Sequence, residues 1–187
     1  GAMSRIDPAS PPFADRVAED LEKLIPPGME PIRLFRVLAR NPRLLRRVRR
    51  GGLLDPGSVS LRQRELMILR TTARCRGEYE WGVHVGFFGG AAGLTQEQID
   101  ATVTGDEQEA CWSEDDALVI ALADALHDEA TVSRALWERL KASFDDAQLL
   151  ELVMLAGQYH MISFIVNAAA IEPEPGAPTF PPRERCA

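Results

Sequence analysis

Leu61-Arg62-Gln63-Arg64-Glu65-Leu66-Met67-Ile68-Leu69-Arg70, followed after a short gap by Glu78-Tyr79-Glu80-Trp81-Gly82-Val83-His84, decides how this chain folds. In the first run Leu61, Leu66, Ile68 and Leu69 make the apolar side of a helix from about Leu61 to Cys75. Glu65 interrupts that helix, either as a solvent residue or as a carboxylate aimed inward. Arg76-Gly77 breaks the chain, and a second helix runs from about Glu78 to Phe88 before Gly89-Gly90 closes it. Glu80 and His84 are four residues apart on one face of this helix, with Tyr79 and Trp81 on either side. A carboxylate one turn from an imidazole can hold its tautomer and raise its basicity, which a general acid/base histidine needs. An ordinary surface pair has the same spacing.

Outward from this pair the periodicity is helical throughout, and no run of strand length alternates polar with apolar residues. Upstream, Phe13 to Leu24 is a short amphipathic segment stopped by Pro26-Pro27-Gly28, and Met29 to Ala39 places Ile32, Phe35 and Leu38 at helical spacing. Asn41-Pro42 then starts a helix carrying Leu44, Leu45 and Val48 that ends at Gly51-Gly52. Downstream, Thr95 with Gln98 is a capping-box spacing, and Ser113-Glu114-Asp115-Asp116 is an acidic start for a helix with Leu118, Leu122, Ala125 and Leu126. Ser133 opens a helix to about Ser143, and Asp145-Asp146 opens a long apolar one. Between Leu149 and Ile171 that helix carries Glu151, Gln158, His160, Ser163 and Asn167, which a hydrocarbon environment would leave unsatisfied. It is expected to be a core helix and not a membrane span. The tail from Glu172 holds five prolines and is expected to be extended or disordered. The organisation that follows is an arm at 1–12, one helical domain at 13–172 and a Pro-rich tail at 173–187.

A chain of 187 residues with 26% charged and 45% hydrophobic residues builds one core, and its net charge of -7 opposes general nucleic-acid binding. A local basic stretch from Arg33 to Arg50 has eight arginines and no acid. Nineteen of the 21 basic residues are Arg, so the stretch reads first as a solvated or subunit-facing side and second as an anion surface. Cys75, Cys111 and Cys186 lie too far apart for a CxxC motif or a disulfide framework. Gly1-Ala2-Met3-Ser4 reads as a protease-cleavage remnant before a native Met. No signal-peptide pattern follows it, and a cytoplasmic protein is expected. There is no Walker loop, no ExxH or HxxxH pair and no Cys/His cluster in the sequence, so neither a nucleotide nor a metal is expected. His127 beside Asp128 fits a helix-end cap. His160, Ser163 and Asn167 share a face with Tyr159 adjacent, either completing a pocket or forming a polar seam.

The run from Leu61 to His84, with Ala91-Ala92-Gly93-Leu94-Thr95 after it and Gly157-Gln158-Tyr159-His160 through Asn167 near the end, resembles the carboxymuconolactone decarboxylase family. That family includes the alkylhydroperoxidase D-type peroxidases, and the resemblance spans about Pro31 to Glu174. It implies an all-α, alkylhydroperoxidase D-like fold that assembles as a homotrimer or homohexamer. In the peroxidase branch two cysteines precede the histidine by seven and four positions. Gly77 and Glu80 stand there instead, so thiol chemistry on a peroxide lacks its residues.

The resemblance implies a cofactor-independent lyase or isomerase acting on a small carboxylated lactone or related carbonyl compound. His84 would donate or shuttle the proton, Glu65 would orient or relay, and Glu80 would be the second acid/base group. Tyr79, Trp81, Tyr159, His160 and Asn167 would bind substrate. One of Arg62, Arg64, Arg70 and Arg74 could clamp a substrate carboxylate. The alternatives are a peroxidase-like oxidoreductase relative without the redox CxxC, and a non-catalytic binding or assembly module. Neither cofactor, metal, nucleic acid nor membrane is expected as a partner.

Overall fold

The computed structural model describes residues 4–182, and every regular element among them is helical. In chain order they are α1 (Asp15–Leu24), α2 (Arg33–Leu38), α3 (Pro42–Arg50), α4 (Leu61–Arg74) and α5 (Glu78–His84), which runs into a π-helical turn at Val85–Gly89. There follow α6 (Gln96–Thr104), α7 (Glu114–Glu129), α8 (Arg134–Ser143) and α9 (Asp146–Ala168). The helix beginning at Phe13 by periodicity starts two residues later. The one expected from Met29 starts only at Arg33, because Pro31 holds the preceding backbone extended.

Nothing in α4 from Arg64 to Thr72 is exposed. Four successive apolar residues, Leu66 to Leu69, point in every direction around the axis, so the helix needs neighbours on all sides. It finds them in α5, α6, α7 and α9. The apolar faces of α7 (Val119, Ile120, Leu122) and α9 (Leu149, Leu152, Leu155) complete the core around it. Side-chain caps fix where these helices begin: Ser60 with Gln63, Thr95 with Gln98, Ser113 with Asp116 and Asp145 with Gln148 are reciprocal capping boxes. Ser60 with Gln63 has the same Ser/Thr-x-x-Gln spacing as Thr95 with Gln98.

Arginines anchor the peripheral elements. The buried Asp20 of α1 receives Arg46 Nε at 3.0 Å and also Arg49, both from α3. Arg36 and Arg40 donate to Ala9 O at 2.7 Å and Asp7 O at 2.8 Å, and Arg33 reaches Pro173 O. The basic segment is thus largely the staple of the N-terminal arm, α1 and the tail. Arg16, Arg43, Arg47 and Arg50 remain on a shallow outer depression.

Of the two states expected for it, extended or disordered, the tail has the extended one. As far as Pro182 it is an extended strap laid over α5, while Cys186 lies outside the described residues. Tyr79 donates its hydroxyl to Glu174 Oε1 at 2.7 Å, Phe180 N–H reaches Glu78 Oε2 at 2.9 Å, and the Phe180 ring meets Trp81 edge-on with centroids 5.2 Å apart. Gly82 lets the strap lie this close: a Cβ there would overlap the Pro178 carbonyl oxygen.

By length and composition α9 is apolar enough to cross a membrane. In this fold it is a packing helix, buried along Leu149, Leu152, Leu155, Ala156 and Ile162. Its other side leaves Leu150, Met154 and Phe164 at 67%, 60% and 63% exposure.

Candidate active site

Glu65 sits mid-way along α4 with no exposure at all, which settles its direction as inward. The reversal between α4 and α5 uses Arg76 in the left-handed region (φ 55°) and then Gly77, where a Cβ would come within 2.7 Å of the buried Ser163 Oγ. This tight turn lays α5 beside α4 and brings His84 onto Glu65, with Nδ1 2.7 Å from Oε1. The second Glu65 oxygen accepts Arg64 Nε at 2.9 Å; Arg64 also donates to Leu54 O at 2.8 Å and stacks over the Phe88 ring at 4.8 Å. On the other side of the imidazole, Glu80 Oε1 lies 3.3 Å from His84 Nε2. His84 is therefore held between two buried carboxyl groups.

Burial by itself would lower the His84 pKa. The hydrogen bonds and charges of Glu65 and Glu80 outweigh that and raise it to about 9. The ring packs edge-on against Tyr159 with centroids 5.1 Å apart. Burial, and then the charges of Glu80 and Glu65, push the Tyr159 phenol well above its ordinary pKa, so its hydroxyl keeps its proton. Glu80 Oε2 is buried without a hydrogen-bond partner among the described residues.

Glu80, His84 and Tyr159 together line a cavity of about 360 Å³. Its remaining wall is apolar and comes from several elements, including Phe35, Leu54, Phe87, Phe88 and Ile162. The π-helical turn directly after His84 carries both Phe87 and Phe88, an irregularity often found beside functional residues.

The other sequence candidates lie elsewhere. Tyr79 points away from the cavity, accepting Leu34 N–H at 3.0 Å and donating to the tail. Trp81 is buried on the opposite flank, its indole N–H 3.0 Å from Thr102 Oγ1. Of the four candidate arginines, Arg62 is bound to Asp116, and Arg70 and Arg74 to Asp124. Arg64 belongs to Glu65, so none is a free clamp on the cavity. His160 and Asn167 face the far side of α9, where Asn167 Nδ2 donates to Cys75 O at 2.9 Å. There the fold assembles what the sequence did not show: Cys75, His127 and His160, from three different elements, offer ligand atoms all within 4.8 Å of one another. The expectation that no Cys/His cluster exists is corrected by this convergence. His127 is a member of that cluster and not simply a helix-end charge. The aromatic wall is not foreseen in the sequence: Phe87 and Phe88 come from an irregular turn, and Phe35, although at helical spacing in α2, gives no sign there that it meets them.

Among the described residues, then, a wholly helical domain encloses a Glu–His–Glu cluster beside an apolar cavity. The profile of the carboxymuconolactone decarboxylase family matches residues 41–126, a span that includes Glu65, Glu80 and His84. Over those residues, somewhat under half of its length, the chain is similar to this family. An uncharacterized peroxidase-related protein from Silicibacter sp. TM1040 superposes with a TM-score of 0.79 at 17% identity, covering 93% of each chain. A peroxidase-related protein with an AhpD core from Ralstonia eutropha JMP134 does so at 0.76 and 14%, covering 94% of each. A debrominase, solved as a cysteine-to-alanine variant with 2,3,4-tribromopyrrole, gives 0.73 and 12% over 91% of each. No curated protein matches the chain.

Proposed function

We propose that this protein is a cofactor-independent lyase or isomerase that moves a proton on a small, largely apolar carbonyl compound. The observation that carries this reading is the unpartnered Glu80 Oε2, buried at a cavity wall and coupled through Oε1 to a histidine that a second carboxyl group holds from behind. Both His84 nitrogens are engaged, so Glu80 is the group with a free atom for substrate. Glu80 takes the proton from a carbon next to the carbonyl, the electrons move onto the carbonyl oxygen, and the protonated Tyr159 hydroxyl is the donor available to it. Return of the proton to a different carbon completes an isomerisation. Where a carboxylate leaves as carbon dioxide instead, the same carbanion is quenched by a proton that His84 and Glu80 draw from solvent. Glu65 and Arg64 are positioning residues.

The family resemblance favours carboxylated lactones and enol-lactones within this class. The nearby Arg62, Arg64 and Arg70 are paired with acids, so a substrate carboxylate would be placed away from Glu80, toward the apolar wall and the cavity mouth. The enclosure of His84 favours an enzyme over a binding module, and related folds that include a debrominase make catalysis on this scaffold reasonable. A peroxidase reading gains no support at the cavity, since Cys75 lies on the other flank of α9 with His127 and His160. The free thiols Cys75 and Cys111 accord with a reducing compartment such as the cytoplasm.

The test is proton exchange in heavy water. A panel of small lactones, enol-lactones and keto acids is incubated with the protein and read by NMR for deuterium at carbon and for loss of carbon dioxide. Turnover of a panel member, reduced at least about a hundredfold in Glu80→Gln and in His84→Gln with the fold intact, is expected. Turnover unchanged in both variants would remove this site from the chemistry.

A further inference from the structure

Cys75 ends α4, His127 lies in the last turn of α7, and His160 projects from the middle of α9, on the side opposite the cavity face that Tyr159 lines. Cys75 Sγ is 3.7 Å from His127 Nδ1, and His127 Nδ1 is 3.0 Å from His160 Nε2. All three side chains are partly exposed, so the cluster is reachable from solvent. We propose that this cluster is a three-ligand site for a borderline-soft divalent cation, Zn²⁺, with a fourth position open to water.

Geometry carries the assignment. A tetrahedral zinc with its usual bond lengths places sulfur and nitrogen ligands about 3.6 Å apart and two nitrogens about 3.3 Å apart. The Cys75–His127 and His127–His160 separations differ from these by only a few tenths of an ångström, and the third side of the triangle is within 4.8 Å. The ligands are also oriented from behind. His160 Nδ1 donates to Ala156 O at 2.6 Å, which leaves the Nε2 lone pair directed into the cluster. Asn167 holds the Cys75 carbonyl. The one cation nearby, Arg74, is paired with Asp124 and Asp128 and does not repel an incoming ion unopposed.

The proton balance follows. Without a cation an ordinary thiol is protonated near neutral pH, and His127 Nδ1–H donates to His160 Nε2. Binding deprotonates the thiol and moves the His127 proton to its other nitrogen, releasing one proton per ion. This site shares no residue with the acid–base cavity and does not depend on that assignment.

The full-length protein, stripped with a chelator and dialysed, is titrated with Zn²⁺ against a competing indicator. One ion per chain is expected, with about one proton released and with protection of Cys75, but not Cys111, from alkylation. Co²⁺ as a probe should show a thiolate charge-transfer band that Cys75→Ser abolishes. Affinity should fall at least about tenfold in Cys75→Ser, His127→Gln and His160→Gln, each checked for folding by circular dichroism, and should be unchanged in His84→Gln. Absence of binding overturns the site, as does stoichiometric binding that survives in the folded His160→Gln and Cys75→Ser variants.

Discussion

His84 shows how two acids can reverse the effect of burial. An imidazole sealed from water should be neutral, yet Glu65 and Glu80 raise its pKa to about 9. A group whose folded pKa exceeds its unfolded value of about 6.5 stabilises the fold fully below that lower value and loses the contribution as pH rises through the upper one. The stability difference between wild type and His84→Gln should therefore be largest near pH 6, about 3 kcal/mol at most, and should vanish above about pH 9 in urea melts. Glu65→Leu should be costlier at neutral pH, about 3–5 kcal/mol, because it leaves Arg64 and His84 buried without their common partner. At this scale the i, i+4 spacing of Glu80 and His84 was legible in the sequence, and the family likeness singled out Glu65. Tyr79 and Trp81 are expected at the pocket but stand outside it: each is rotated about 100° from Glu80 around the helix, and there Tyr79 bonds Leu34 and the tail while Trp81 bonds Thr102.

Among the elements, α5 is the least independent. It has seven residues, too few to persist alone, and is held by α4 beneath and the strap above. Gly82→Ala should displace the strap from Pro178 onward, since the clash is with a backbone carbonyl that has no side-chain freedom. Faster hydrogen exchange at residues 172–182 with helix content retained is the expected reading, and unchanged exchange would show the strap held by its other contacts. The Ser60 cap on α4 makes a smaller prediction: Ser60→Ala should cost about 1 kcal/mol by thermal or chemical melting. Helix starts were legible wherever a Ser, Thr or Asp precedes an apolar repeat. The strap was not. Proline content excludes a helix but says nothing of what lies beneath, and the bonds that hold it join residues 95 and 102 positions apart.

For the molecule as a whole, the all-helical class predicted from periodicity holds among the described residues, with α4 surrounded by α5, α6, α7 and α9. The outer side of α9 is a different matter. Leu150, Met154, Met161 and Phe164 follow one another at helical spacing along an exposed stripe, with Gly157 between them open to close approach. We expect a second copy of the chain to cover this stripe. Sedimentation equilibrium should give a homo-oligomer, and Leu150→Glu combined with Phe164→Glu should shift it toward the monomer without loss of helix. A wild-type monomer at micromolar concentration would contradict the expectation.

The strap that ties Glu174 to Tyr79 and Phe180 to Glu78 rests on the same short helix that presents Glu80 and His84. Trimming the carboxyl end back past Glu174 should therefore loosen that helix ahead of the core, read as faster amide exchange at residues 78–84.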